Sequence, residues 1–146
     1  MPGIQTPICQ QLQIEHPVFQ AGMGWVARAD LAAAVSEAGG LGCIGAGSTM
    51  DADELRAEIR SVREQTDRPF AVDILFATVP SKVDEAVRYT DKVAAMVDVV
   101  FDERVPVLIS GLGSPKDAVP TAKELGITVM SVVGAVRHAQ KAVADG

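Results

Sequence analysis

Short apolar runs that end in glycine-rich segments recur along this chain of 146 residues, and amphipathic stretches separate them. The apolar runs begin near residues 18, 41, 70, 105 and 128, which gives five strand-and-helix units. The runs are apolar on both faces, as parallel strands covered by helices must be. The pattern therefore predicts an α/β fold with a parallel sheet, either doubly wound or closed into a (β/α)8 barrel. Periodicity alone does not decide between these two architectures.

The boundaries of these elements follow from capping residues and chain breakers. Asp30 is a good N-cap for the first helix, and Gly39 ends it because glycine adopts the left-handed conformation at little cost. Ser48 or Thr49 is expected to open the second helix. Strands are predicted over 17–20, 41–44, 70–75, 105–109 and 127–133, and helices over 30–38, 51–65, 80–100 with an interruption near 89–91, 117–125 and 135–145.

The composition excludes several classes of protein. Hydrophobic residues make up 48% and charged residues 22%, so the chain can bury a core and disorder is not expected. A net charge of −6 without a basic patch argues against nucleic acid or an anionic membrane as partners. No apolar run reaches the roughly 18 residues of a membrane helix, and the N-terminus lacks a signal-peptide pattern. A cytoplasmic protein is therefore expected.

The cysteines and histidines form no recognisable catalytic or metal-binding set. Cys9 and Cys43 lie far apart in the sequence, which argues against a disulfide framework and against a structural zinc site. Cys43 is expected to be buried and inert within a strand. His16 is interpreted as structural, and His138 as a surface or capping residue of the last helix. The spacing therefore assigns no catalytic residue and no metal ligand.

Ligands of both candidate architectures bind at the carboxyl ends of the strands, and four of the five predicted strand ends carry glycine. Glycine lets backbone N–H groups approach a flat ring or a phosphate without a Cβ in the way. The segment 45–50 lacks the third glycine of a dinucleotide fingerprint and follows the second strand, which disfavours that interpretation. Asp73 is a carboxylate in an apolar strand, where it meets either a polar ligand edge or merely backbone and water.

Four segments of the sequence resemble the nitronate monooxygenase family, whose members were formerly called 2-nitropropane dioxygenases. They are Ile14–Ala27, Ser36–Gly42, Thr66–Asp73 and Gly134–Ala142, and they follow one another as in the family over almost the whole chain. The same superfamily includes FMN-dependent enoyl-acyl-carrier-protein reductases and NAD(P)H:quinone reductases. These motifs separate the branches poorly.

The resemblance implies a (β/α)8 barrel that carries non-covalent FMN at its C-terminal face. By motif matching, the backbone of Ala21, Gly22 and Met23 would contact the flavin ring. Gly111 and Ser131 match strand ends that line the cofactor cavity.

Asp73 stands where many members of this family have an asparagine that touches the flavin edge. The difference changes the chemistry of the contact, because an ionised carboxylate only accepts hydrogen bonds whereas an amide also donates them. The resemblance therefore implies a flavin contact at Asp73 of a different character from that of the relatives.

The activity that the resemblance implies is the oxidation of alkyl nitronates by O2 to carbonyl compounds and nitrite, with the nitronate and O2 as small-molecule partners. A full barrel needs about 250 residues. Residues 1–146 are therefore expected to form the N-terminal part of a single FMN-binding barrel domain. The catalytic histidine and the loop for the FMN phosphate would follow Gly146, and the isolated chain would be inactive.

Two alternatives stay open at this point. The same flavin would also serve an enoyl-acyl-carrier-protein reductase or an NAD(P)H:quinone reductase. The other alternative is a non-catalytic half-barrel that pairs with a second copy or with a complementary fragment through its bare sheet edges. Pairing of two copies would make the protein a homo-oligomer.

Overall fold

The computed structural model describes residues 4–47, 50–76 and 83–146, and for residues 83–90 it describes the helical backbone only. The helices are α1 Pro7–Leu12, α2 Ala29–Glu37, α3 Ala52–Gln65, α4 Val83–Asp102, α5 Val119–Glu124 and α6 Val136–Asp145. The strands are β1 Gly42–Ala46, β2 Phe70–Leu75, β3 Val107–Gly111 and β4 Thr128–Ser131. Strands and helices alternate from β1 to α6 as predicted, whereas α1 lies in a segment for which no helix was predicted.

The four strands form one parallel sheet in the order β1-β2-β3-β4, so each strand pairs with its neighbour along the chain. Buried residues of α2, α3, α4 and α5 pack in one cluster with Ile44, Val72 and Leu108, on a single face of the sheet. A doubly wound sheet instead reverses its strand order and carries such helices on both faces. The structure is therefore an arc of a (β/α)8 barrel, as the resemblance implied.

The inner face of the sheet carries a second, smaller apolar cluster. It contains Cys9, Leu12, Ile14, Leu41, Cys43, Ala71, Val107 and Ile109. The strand residues of this cluster alternate with those of the helix-facing cluster, because successive side chains of a strand point to opposite faces. α1 thus packs near the N-terminal ends of the strands, opposite the end at which a barrel binds its ligand.

The strand predicted over 17–20 is reduced to one isolated bridge between Phe19 and Leu41. A side chain takes over the next position of the ladder. Nε2 of Gln20 donates to the carbonyl of Cys43 at 2.8 Å, and Oε1 of Gln20 accepts from the Cys43 N–H at 3.3 Å. The amide of Gln20 therefore replaces strand backbone beside β1, and the chain after Gln20 turns over the sheet.

Other boundaries differ from the predicted ones by a few residues. α3 begins after Asp51, whose carboxylate accepts a hydrogen bond from the Glu54 N–H at 2.8 Å. The interruption predicted near 89–91 is wrong, because α4 is continuous. The helix starts expected at residues 48–49 and 80–81 lie outside the described residues. Among the helices that the structure describes, none combines the length and the apolar character that crossing a lipid bilayer requires.

A cluster of charges joins α3 to the residue that follows α4. Glu103, whose side chain is 11% exposed, accepts hydrogen bonds from Arg56 at 3.0 Å, Arg60 at 3.1 Å and Arg63 at 3.0 Å. Burial alone would raise the pKa of Glu103, but the hydrogen bonds from Arg56 and Arg60 outweigh it and hold this pKa below its usual value. The ionised carboxylate thus ties the two helices together.

We expect Glu103→Gln to lower the free energy of unfolding by about 1–3 kcal/mol at neutral pH, because it leaves several guanidinium groups without their carboxylate. A carboxyl group with a lowered pKa contributes stability above its unfolded pKa of about 4.3 and loses it as the pH falls through the folded value. The variant should therefore lose stability less steeply than the parent chain in acid. Urea denaturation at pH 7 and in acid measures both effects, and Glu64→Gln, at an exposed position of α3, is the matched control. Equal stability of the two variants would contradict the prediction.

Candidate functional site

The segment Ala21–Met23 lies over the C-terminal end of β1. A Cβ added at Gly45 would stand 2.7 Å from the backbone nitrogen of Met23, so the two backbones approach as closely as glycine allows. The Gly45 N–H donates to the carbonyl of Ala27 at 2.9 Å, and the Ala27 N–H donates to the carbonyl of Met23 at 2.8 Å. These bonds hold the segment against the strand, where its backbone faces the inner side of the barrel arc.

Asp73 lies between this segment and β3. It pairs with Gly45 on one side and Ile109 on the other, and its side chain shares the inner face with Ala71. A Cβ added at Gly22 would stand 2.5 Å from Oδ2 of Asp73, and one added at Gly111 would stand 3.2 Å from Oδ1. We call the group formed by Gly22, Gly45, Asp73 and Gly111 the glycine cradle.

The carboxyl group of Asp73 is held in surroundings that disfavour its charge. Among the residues that the structure describes, its buried Oδ1 has no hydrogen-bond partner. Burial raises the pKa of Asp73, and a polar contact between its carboxyl group and the Gly111 backbone lowers this pKa again in part. A buried acceptor without a partner costs free energy, so this oxygen is suited to a ligand that supplies the missing hydrogen bond.

Cys43 is the titratable neighbour of Asp73 on β1. Burial, followed by the charge of Asp73, raises the pKa of Cys43 to about 12, although the Asp73 backbone opposes this. The thiol is therefore protonated at neutral pH and unreactive, as the sequence indicated. Cys9, the other cysteine, is buried beneath the inner face and is also free.

The outer rim of the cradle is apolar and exposed. Met23 and Trp25 follow the close approach to β1, and 77% of the Trp25 surface is accessible. Trp25 has a φ of +68°, a left-handed conformation that is rare for a bulky residue. The strained backbone of Trp25 thus exposes an aromatic ring beside the cradle, and such strain is typical of functional loops.

The structure does not bring the Ser131 hydroxyl to the cradle. Ser131 pairs with Ser110, which pairs with Ile74 of the helix-facing cluster, so both hydroxyl groups lie on that side of the sheet. Their oxygens are 2.8 Å apart, and the Ser110 hydroxyl donates to the carbonyl of Gly113 at 3.1 Å. Only the backbone of Ser131 can therefore face the inner side, and its contact with a cofactor stays a prediction.

Neither histidine reaches the cradle. His16 is exposed beside Gly39, to whose carbonyl its N–H donates at 2.9 Å. His138 is exposed on α6 and borders a cleft with Lys141 and Leu112. Across the described residues, no three histidine, cysteine or acidic side chains are grouped so that they could hold a metal ion.

Sequence reasoning missed two contributors to the site. Gly45 was noticed as a strand end but not chosen, although its close approach to Met23 fixes the height of the segment above the sheet. Gln20 was included in the family motif without a role, and its side chain substitutes for strand backbone. The available signals were the position of Gln20 directly before Ala21 and the position of Gly45 at a glycine-rich strand end.

The fold and the geometry of the cradle together define an α/β-barrel protein with a candidate site at the C-terminal ends of the strands. The comparison with protein families narrows this class. The family model described as nitronate monooxygenase matches residues 5–146. The chain therefore belongs to the nitronate monooxygenase family, as the four sequence segments indicated.

Relatives with different names match the chain at similar levels. The (3aS,4S,5R,7aS)-5-hydroxy-7a-methyl-1-oxo-octahydro-1H-indene-4-carboxyl-CoA dehydrogenase of Mycobacterium tuberculosis is 38% identical over 98% of this chain and 37% of its own length. The nitronate monooxygenase of Paraburkholderia phytofirmans is 31% identical over 92% of this chain and 44% of its own length. The solved structure of FabK from Thermotoga maritima is 38% identical with a TM-score of 0.82, covering 98% of this chain and 42% of that one.

The chain spans less than half the length of these three relatives, between 37% and 44%. The two curated relatives are a dehydrogenase and a monooxygenase, and both names denote oxidoreductases. The comparisons therefore identify relatives that are oxidoreductases, and this chain corresponds to less than half the length of each of them.

Proposed function

We propose that the chain forms one wall of an FMN site in a flavin-dependent oxidoreductase. The observation that carries the proposal is the glycine cradle, which combines close backbone approach with a buried carboxyl oxygen that has no hydrogen-bond partner among the described residues. A flat, polar-edged ring needs both features, since glycine admits the ring face and the carboxyl group meets the ring edge. The residues that would hold the ring are Ala21, Gly22, Met23, Asp73 and Gly111.

Bound FMN supplies electron-transfer chemistry, which protein side chains lack. The described residues would bind the flavin ring, orient it and shield it from water. The backbone of Ala21–Met23 would lie against the ring, and Ile109 keeps the inner face apolar below it. Because water is excluded on that side, the Asp73 carboxyl group would act on the ring edge with little screening.

We assign to the whole protein the oxidation of alkyl nitronates by O2 to carbonyl compounds and nitrite, in the cytoplasm. Residues 1–146 would be the N-terminal part of a single barrel domain. The family match supports this activity. The described side chains near the cradle offer no base other than Asp73, which has the role of a ring contact, so we assign no catalytic residue within the chain.

A second candidate is a dehydrogenase or reductase that acts on an acyl thioester. The specific observation in its favour is the 38% identity to the carboxyl-CoA dehydrogenase, against 31% to the nitronate monooxygenase. Both candidates use the same flavin wall. They differ in the electron partner, since reduction of an enoyl thioester requires a nicotinamide and nitronate oxidation does not.

Trp25, the only tryptophan of the chain, gives a direct test of flavin binding. Flavins absorb where tryptophan emits, so we expect saturable quenching of the Trp25 emission when FMN is added to the folded chain. The same titration in denaturant, where the cradle is lost, is the control for inner-filter effects. Absence of saturable quenching up to millimolar FMN, together with unchanged flavin fluorescence, would refute the proposed function.

Oxygen consumption and flavin reduction distinguish the finer assignments. We expect the FMN-loaded chain alone to consume no more O2 with an alkyl nitronate than free FMN does, because the chain spans less than half the length of the related enzymes. Turnover by the chain would show that this division of labour is wrong. Reduction of bound FMN by NADH or NADPH would favour the thioester candidate over the nitronate one.

A further inference from the structure

The described neighbours of the Asp73 carboxyl group cannot balance a negative charge. Gly22 lies above it, Gly45 pairs with it on β1, and Ile109 and Gly111 flank it on β3. None of these residues carries a positive charge. The titratable neighbour on β1 is the Cys43 thiol, which stays neutral, and neither the segment Ala21–Met23 nor β3 contains a titratable side chain.

We infer that Asp73 takes up a proton when the flavin ring covers it, so that the ring binds to a neutral carboxylic acid. This inference rests on the proposed function. A ring placed on the cradle removes the remaining water from a partly buried group whose Oδ1 has no hydrogen-bond partner in the described part of the chain. The described neighbours supply no compensating cation, so desolvation disfavours the carboxylate, and protonation relieves that cost.

The chemistry of the ring points the same way. The rim of an oxidised isoalloxazine carries several acceptors, namely two carbonyl oxygens and ring nitrogens, and a single N–H donor. A carboxylate can only accept, whereas a carboxylic acid donates through one oxygen and accepts through the other. The neutral form of Asp73 therefore has the hydrogen-bonding pattern of an amide, and an asparagine should replace it with little change in ring affinity.

The free chain is prepared for this uptake, since burial already raises the pKa of Asp73 before any ring is present. Binding raises it further in this scheme. Affinity for the ring should then be constant at low pH and should fall as the pH rises above the pKa of the free chain. The limiting slope for one proton is about tenfold in Kd per pH unit.

The experiment is a titration of the chain with riboflavin between pH 5 and 9, followed by Trp25 emission. Riboflavin has the ring of FMN without the phosphate, whose own ionisation near a pKa of about 6 would complicate the profile. Asp73→Asn is the test variant, and Asp98→Asn, at an exposed position of α4, is the matched control. Calorimetry in two buffers of different ionisation enthalpy counts the protons taken up on binding.

We expect the parent chain and Asp98→Asn to lose affinity with rising pH and to take up a proton. Asp73→Asn should bind with a flat profile and take up none, and at high pH it should bind more tightly than the parent. A flat or rising profile in the parent chain would overturn the inference while leaving the flavin site intact. Failure of the parent chain to bind riboflavin or FMN at any pH would overturn the proposed function, and the inference with it.

Discussion

Gly42→Ala is expected to lower the free energy of unfolding by about 3 kcal/mol or more, the upper part of the range for overpacked cores. A Cβ at this position would stand 2.6 Å from the carbonyl carbon of Ala32 and closer still to its oxygen. The obstacle is the backbone of α2, which no side-chain rotation can move. β1 and α2 would therefore have to separate.

The separation would also break a buried hydrogen-bond relay. The Ser36 hydroxyl accepts from the Gly42 N–H at 3.1 Å and donates to the carbonyl of Pro69 at 2.9 Å. Only 1% of Ser36 is exposed, so water cannot replace these partners without further opening, at a cost of about 1–3 kcal/mol for each buried polar group left unpaired. The relay joins α2, β1 and the entrance to β2, and its loss would weaken the arc at its first strand pair.

Urea denaturation followed by circular dichroism measures the effect. Gly134→Ala is the matched control, because a Cβ there would meet nothing within 4 Å and its φ is not in the left-handed region. The control should stay within about 0.5 kcal/mol of the parent chain. A Gly42→Ala variant as stable as the control would show that α2 does not pack on β1 as closely as described.

The architecture was predictable because its determinants are local and repeated. The apolar run 70–75 was predicted with the bounds that β2 has, since Pro69 and the helix end before it mark the start of the strand. The helix predicted over 51–65 nearly coincides with α3, although its N-cap is Asp51 and not Ser48 or Thr49 as expected. Periodicity could not distinguish a barrel from a doubly wound sheet, because both bury their strands on two faces. The distinction depends on which side of the sheet each helix packs, and this is a tertiary property.

The candidate site was less predictable because it depends on side chains that act outside their usual roles. Nothing in the pattern around residue 18 indicates that the Gln20 amide replaces a strand, so a regular strand was predicted there. Ser131 was grouped with Gly111 because both end strands. Their positions in the register differ by one residue, and that single step turns the Ser131 hydroxyl to the opposite face. Asp73 was identified because an acid in an apolar strand is unusual on physical grounds alone.

The second large effect is expected in the cradle, where Gly22→Ala should weaken flavin binding. A Cβ at Gly22 would stand 2.5 Å from Oδ2 of Asp73 and 2.6 Å from its Cβ. Rotation of the carboxyl group relieves the first clash but not the second, so the segment Ala21–Met23 would have to rise from the sheet. The backbone would then no longer lie at contact distance from the ring, and we expect the affinity for FMN to fall at least tenfold, or by about 1.4 kcal/mol.

This loss should occur with little change in stability, which separates it from the effect of Gly42→Ala. Residues 21 and 23 are exposed and contribute little to the core, so moving the segment costs few buried contacts. Gly24→Ala is the control, since a Cβ there would meet nothing within 4 Å although it lies two residues away in the same segment. Titration of both variants with FMN at constant pH, followed by Trp25 emission, measures the difference. Equal affinity in the two variants would mean that the ring does not rest on Gly22, and the flavin wall would then have to be sought elsewhere on the barrel arc.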